Sequence, residues 1–218
     1  MKTRTPSRLS LRVPSLSLVL LACWQPLALA DQYELQWSLR PLAGIAQWRE
    51  ETTSGPAFAA VGGTMLGVSY GVTNSLDLGA EVSVVGTSLA TFKGSTIVYD
   101  GSLPLGDGLQ RRAMGAYLLL GPTWRKGYDW VRVVTASLGG GMRARSEGEF
   151  AGTHVRPMEK RAESALDFAA LARVGLERRL QRRWTVGGYL SALTAWGPDA
   201  PVMPSLSASF GVSYVYYP

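Results

Sequence analysis

The sequence predicts an all-β protein, an eight-stranded antiparallel up-and-down barrel standing in a membrane, and three observations carry that prediction. The chain is a succession of runs in which apolar residues alternate with small or polar ones, the period of a β-strand with two chemically different faces. The last run shows it most cleanly. Leu206, Ala208, Phe210, Val212, Tyr214 and Tyr216 share one face, and Ser or Gly stands at every odd position from 205 to 213. Second, the connections alternate in length: 73–75, 125–129 and 179–183 are short turns, and two of the other four are about twenty residues long, as in barrels with turns on one side of the membrane and loops on the other. Third, Trp184 and Trp196 share parity twelve positions apart. That is ~40 Å of strand at ~3.3 Å per residue, or about 28–30 Å along the axis at a tilt near 45°, which fits aromatic residues on both edges of an apolar band ~25 Å tall.

Each run justifies itself by its alternation. In 33–49, Tyr33, Leu35, Trp37, Leu39, Ala43 and Ile45 face one way, and Glu34, Gln36, Ser38, Arg40 and Gly44 the other. The turn-forming cluster 51–56 separates it from 58–72, where Leu66, Val68, Tyr70 and Val72 oppose Met65, Gly67, Ser69 and Gly71. Thr73, Asn74 and Ser75 make a tight hairpin, since Asn tolerates the left-handed backbone of a short turn. The partner run sets Leu76, Leu78, Ala80, Val82 and Val84 against Asp77, Gly79, Glu81 and Ser83.

Residues 86–110 form a long Gly-, Ser- and Asp-rich connection, in which 96–99 is expected to extend a hairpin beyond the membrane. The run 111–124 is apolar on both faces; oriented by Trp124, it turns Met114, Leu118 and Leu120 outward and Tyr117 inward. The fifth run, 130–145, begins at Trp130 and puts Val134, Ala136, Leu138 and Met142 outward, with Thr135, Ser137, Gly139 and Arg143 inward or at the mouth. The polar stretch 146–165 is a second long loop. The sixth run sets Phe168, Ala170, Ala172, Val174 and Leu176 against Asp167, Arg173, Gly175 and Glu177. The seventh spans 184–196, a loop occupies 197–203, and the last strand completes eight.

Residues 1–30 read as a secretory signal. Lys2, Arg4, Arg8 and Arg12 precede a short apolar run, and Ala28-Leu29-Ala30 forms a cleavage site, so the barrel is expected over 31–218. A lipoprotein-like box at 20–23 competes with it, but a complete Ala-x-Ala site follows. Loss of the leader lowers the formal net charge from +6 to +2, so the basic balance belongs to the leader and gives no reason to expect nucleic-acid binding. The only cysteine, Cys23, leaves with it, which excludes disulfide and thiol chemistry from the expected mature chain.

The end of the chain carries a resemblance. The segment 211–216, Gly-Val-Ser-Tyr-Val-Tyr, resembles the C-terminal signature of outer-membrane barrels, although Phe210 replaces a polar residue and Tyr217-Pro218 run past the usual final aromatic. The segment 71–79, Gly-Val-Thr-Asn-Ser-Leu-Asp-Leu-Gly, is similar to their periplasmic hairpin. On these grounds the chain resembles the small eight-stranded outer-membrane β-barrel proteins of the OmpX, OmpW and OmpA transmembrane-domain type. The resemblance implies a Gram-negative outer membrane reached through the periplasm, insertion by the barrel assembly machinery, contact with outer-membrane lipid and lipopolysaccharide, and a monomer. It transfers no functional residue.

Seven charges are expected in the lumen: Glu34, Arg40, Asp77, Glu81, Asp167, Arg173 and Glu177. An eight-stranded interior is just wide enough for side chains, so these groups are expected to pair into a water-containing plug. The competing expectation is a narrow or gated path for small solutes. Trp37, Trp124, Trp130, Trp184, Trp196, Tyr214 and Tyr216 are expected as the aromatic girdle.

Lipid A modification is the enzymatic alternative. The only histidine, His154, has no serine two residues on, so it reads as a solvated loop residue. No catalytic residue, cofactor or metal site is expected, and Asp100 and Asp107 read as turn formers. Arg178, Arg179, Arg182 and Arg183 are expected at a periplasmic turn, anchoring the interface or docking a periplasmic partner. The role expected of the whole is structural or interactive, through loops 86–110 and 146–165. A soluble lipocalin-like barrel is the remaining rival.

Overall fold

Strict alternation over twelve or more residues leaves each long run one way to sit, apolar positions on one surface and polar positions on the other. The computed structural model describes residues 33–49, 55–92, 109–150, 159–181, 183–198 and 200–217. Among these residues twelve strands form: β1 (Leu35–Trp48), β2 (Ala57–Thr73), β3 (Leu76–Thr87), β4 (Ala90–Phe92), β5 (Leu109–Arg111), β6 (Ala113–Lys126), β7 (Trp130–Arg145), β8 (Gly148–Phe150), β9 (Glu159–Lys160), β10 (Glu163–Gln181), β11 (Trp184–Gly197) and β12 (Ala200–Tyr216). Eight of them close a barrel in the order β1-β12-β11-β10-β7-β6-β3-β2. All its neighbouring pairs are antiparallel, and β1 meets β12 from Leu35 opposite Tyr216 to Ala46 opposite Ser205. Closure leaves no strand of the ring with an open edge.

Burial is inverted relative to a water-soluble fold. Leu138, Phe168 and Phe210 are 68%, 61% and 57% exposed, whereas Arg173 and Glu177 are 2% and 1% exposed. Charged side chains are seldom fully buried unless paired, and an outer surface this apolar suits acyl chains. The facing of the doubly apolar run is as the Trp124 orientation has it: Met114, Leu118 and Leu120 are exposed and Tyr117 is buried.

Several boundaries differ from the sequence expectation. The loop expected over 197–203 is mostly strand, because β12 begins at Ala200, its Val202 and Leu206 continuing the outward row. The turn expected over 179–183 is tighter, since β10 runs to Gln181, and the turn expected over 125–129 loses Arg125 and Lys126 to β6. The two long connections are not simple loops. They contribute β4, β5, β8 and β9 to a separate four-stranded antiparallel sheet. The segments 1–30 and 96–99, with Ala30, lie outside the described residues.

The interior has two chemistries. Toward the short turns it is charged, and toward the long connections an apolar cluster built from Trp48, Ala57, Ala59, Val61, Phe92 and Leu109 among others sits beside the buried pairs of Arg143, Arg145 and Arg111. Phe92 meets the Trp48 ring edge-on, centroids 5.3 Å apart, so the second sheet packs a side chain against the inner face of β1. Leu42, Ala46 and Trp48 share the parity of Arg40, and the inward row of β1 changes chemistry partway along.

The β6–β7 turn depends on Gly127, whose φ is +137°, and a Cβ there would stand 1.9 Å from the Trp130 carbonyl oxygen. Gly127→Ala is expected to cost about 1–3 kcal/mol in urea titrations of the vesicle-embedded barrel. Gly55→Ala, where a Cβ meets nothing within 4 Å, is the control and should leave the midpoint in place.

Candidate functional site

All seven charges expected in the lumen point inward and are at most 8% exposed. The ladders stack them in layers. Nearest the short turns, Arg179 on β10 crosses to Glu34 just ahead of β1, its Nη2 donating to both carboxylate oxygens at 3.0 and 2.9 Å. Beside it Arg125 on β6 bridges two acids, with Nε 2.7 Å from Asp77 Oδ2 and Nη1 3.3 Å from Glu177 Oε2.

The middle layer centres on Glu81 of β3. Its Oε2 accepts from Arg40 Nη1 at 3.0 Å and from Arg173 Nη1 at 2.8 Å, while Arg173 Nη2 closes on Oε1. Arg173 Nε is held by Ser191 Oγ at 3.2 Å. Above this, Arg143 grips Asp167 with Nε at 2.8 Å and Nη2 at 3.2 Å, and the Tyr117 hydroxyl lies 3.5 Å from the same carboxylate. At the mouth, Glu163 takes Arg145 at 2.7 Å and Arg111 at 3.7 Å, and Arg111 also donates to the carbonyls of Ser146 and Arg161 at 2.9 Å.

Tyr189 connects the lower two layers. Its hydroxyl donates to Glu177 Oε1 at 2.6 Å, and the Arg40 and Arg173 guanidinium carbons lie 5.1 and 5.9 Å from its ring centre, within cation–π range. The ring lies against the wall only because Gly175, Gly187 and Gly211, from three neighbouring strands, have no side chain. A Cβ at any of them would come within 2.8 Å of it.

Between the layers a partly open pocket of about 30 Å³ borders Ser69, Thr123, Thr135, Arg40, Arg125 and Arg173, room for about two water molecules. A larger concavity lies on the outer wall, a 540 Å³ groove bordered by Trp37, Leu66, Val82, Trp184 and Tyr214. It belongs to the lipid-facing belt. Among the described residues no group of three or more His, Cys, Asp or Glu is arranged to hold a metal ion. His154 lies outside the described residues.

Sequence reasoning found the carboxylates better than their partners. Arg125 and Arg179 were read as turn residues, although each continues the inward parity of its strand, beside Thr123 and Glu177 respectively. Arg179 is therefore not an anchor for lipid phosphates; it turns inward to Glu34. Tyr189 carried no charge to draw attention, and only its parity with Ser191 marked it. Of the aromatics, Trp37, Trp124, Trp130, Trp184 and Tyr216 face outward near the short turns, with Tyr214 partly covered by Trp184. Trp196 faces outward at the other end, beside Phe168.

No protein-family model matches the chain, and no curated protein matches it in sequence. Among solved structures it is similar to the attachment invasion locus protein Ail of Yersinia pestis, at 12% identity over 85% of this chain and 99% of that one, with a TM-score of 0.46. It is similar to Neisserial surface protein A at 11% identity over 82% and 96%, TM-score 0.43. It is also similar to the N-terminal β-barrel domain of Pseudomonas aeruginosa OprF at 10% identity over 85% and 98%, TM-score 0.40. At these identities the likeness is one of fold.

Removing one member of a buried ion pair strands the other. Glu81→Gln, which leaves Arg40 and Arg173 without their counter-charge, is expected to lower stability by about 3–5 kcal/mol in urea titrations followed by tryptophan fluorescence. Glu34→Gln faces an arginine side chain that is 29% exposed and should cost about 1 kcal/mol or less. Tyr189→Phe should cost about 1–2 kcal/mol, the loss of a donor to a buried carboxylate. A larger loss at Glu34 than at Glu81 would refute the middle layer as the stabilising one.

Proposed function

We propose that this outer-membrane β-barrel is a closed, non-catalytic anchor whose role is interactive, exerted on the outer side through connections 86–110 and 146–165. The observation that carries the reading is the second sheet. Its strands come from both connections, β4 and β5 from the first and β8 and β9 from the second, so the two segments present one platform. That platform rests on the Trp48–Phe92 contact, and beneath it paired ions occupy the lumen. A pore needs a continuous wet path, and the buried ion pairs stacked along the bore argue against one. On this reading the barrel is a monomer inserted by the barrel assembly machinery among lipid and lipopolysaccharide; its ring is closed, while the second sheet keeps edges at β4 and β9.

The purified barrel should be electrically silent in planar bilayers. Steady unitary conductance altered by Arg40→Gln or Arg173→Gln would replace this reading with a solute path. Expression should leave lipid A acylation unchanged. A change abolished by His154→Ala would make the protein an enzyme.

A further inference from the structure

Among the described residues, the outward positions of the eight barrel strands hold three charged side chains, Lys126, Arg132 and Arg178, and all are cations. They are not scattered. Lys126 on β6 is the direct cross-strand partner of Arg132 on β7. On the next strand, β10, Leu176 is the partner of Arg132 and Arg178 that of Trp130, which sets Arg178 diagonal to Arg132. Direct and diagonal neighbours on one sheet face stand roughly 5 and 7–8 Å apart, close enough for three cations to reach one small anion. The outward positions of β11, β12, β1, β2 and β3 hold no charged residue among those described, so the basic patch belongs to one side of the barrel.

Like charges placed directly opposite one another destabilise a sheet unless something neutralises them. No ion pair among the described residues does so here; the carboxylates of the lumen are committed to the inward arginines, and Asp129 in the adjoining turn pairs with none of the three. Arg178 is held ready, its guanidinium carbon 5.5 Å from the Trp130 ring centre. Trp124 and Trp130 mark the depth, since outward tryptophans lie at the level of lipid headgroups. Arg132 lies one outward position deeper than Trp130 on β7, where a lipid-facing guanidinium is the more costly for lacking an anion.

We infer that Lys126, Arg132 and Arg178 form a binding site for the headgroup phosphate of an anionic phospholipid in the leaflet on the short-turn side, whose acyl chains lie along the apolar belt of β6, β7 and β10. The lipid supplies both the missing counter-charge and the apolar surface below it. The site is independent of the proposed outward role, and its test does not touch the connections that carry that role.

The full barrel, folded by its heat-modifiable gel mobility, is released for native mass spectrometry from micelles doped with equal phosphatidylglycerol and phosphatidylcholine of matched chains. One phosphatidylglycerol should be retained over phosphatidylcholine by roughly fivefold, the contribution of a single surface cation, or more. Arg132→Gln with Arg178→Gln should bring retention to parity, and Arg183→Gln, outside the patch, should leave it unchanged. If the double variant does not fold, Arg132→Gln alone should lower the preference. Equal retention of the two lipids by the wild type, or a preference that survives the patch substitutions, would overturn the site.

Discussion

Everything in this molecule follows from closing eight strands into a ring too narrow to hold bulk water. Each strand must send alternate side chains inward, and an ionised group turned into that space has lost most of its hydration. Opposite charges must therefore meet with few alternatives. Among the described residues the outcome is near balance, seven arginines against six carboxylates in and at the mouth of the lumen. Several carboxylates serve two donors each, as Glu81 and Glu177 do. Arginine suits the task because its planar fork satisfies two acceptors at once, as Arg125 does between Asp77 and Glu177.

The same geometry explains why the wall tolerates so much glycine. A ring of side chains cannot all be large in so small a bore, and Tyr189 occupies the space that Gly175, Gly187 and Gly211 leave. Gly139 and Gly141 work differently: a Cβ at either would collide with a carbonyl of β6 at 1.8 or 1.9 Å. These glycines let β7 approach its neighbour closely.

Much of the architecture was legible from parity alone. Period two in Leu76 to Val84 or Leu206 to Tyr216 assigns inside and outside without reference to the rest of the chain. What the sequence did not show was decided at a distance. Arg125 and Arg179 sit in stretches with turn composition, and their acidic partners Asp77 and Glu34 lie 48 and 145 residues away. The apolar contact was hidden because Leu42, Ala46 and Trp48 look like ordinary strand residues until Phe92, from another sheet, is placed against them. Strands β8 and β9 are two or three residues long, too short for any periodicity to appear. Arg178 reads from the sequence as an interface residue, but not its company: Lys126, Arg132 and Arg178 belong to three different runs, and only the register makes them neighbours.

Glu81 receives arginines from β1 and β10 while itself standing on β3, so one carboxylate ties together three staves spaced around the circumference. Spokes of this kind resist ovalisation. When lateral pressure in the bilayer squeezes the cylinder, the load passes through the hub as well as around the rim, and the cross-section keeps its shape without help from neighbouring proteins.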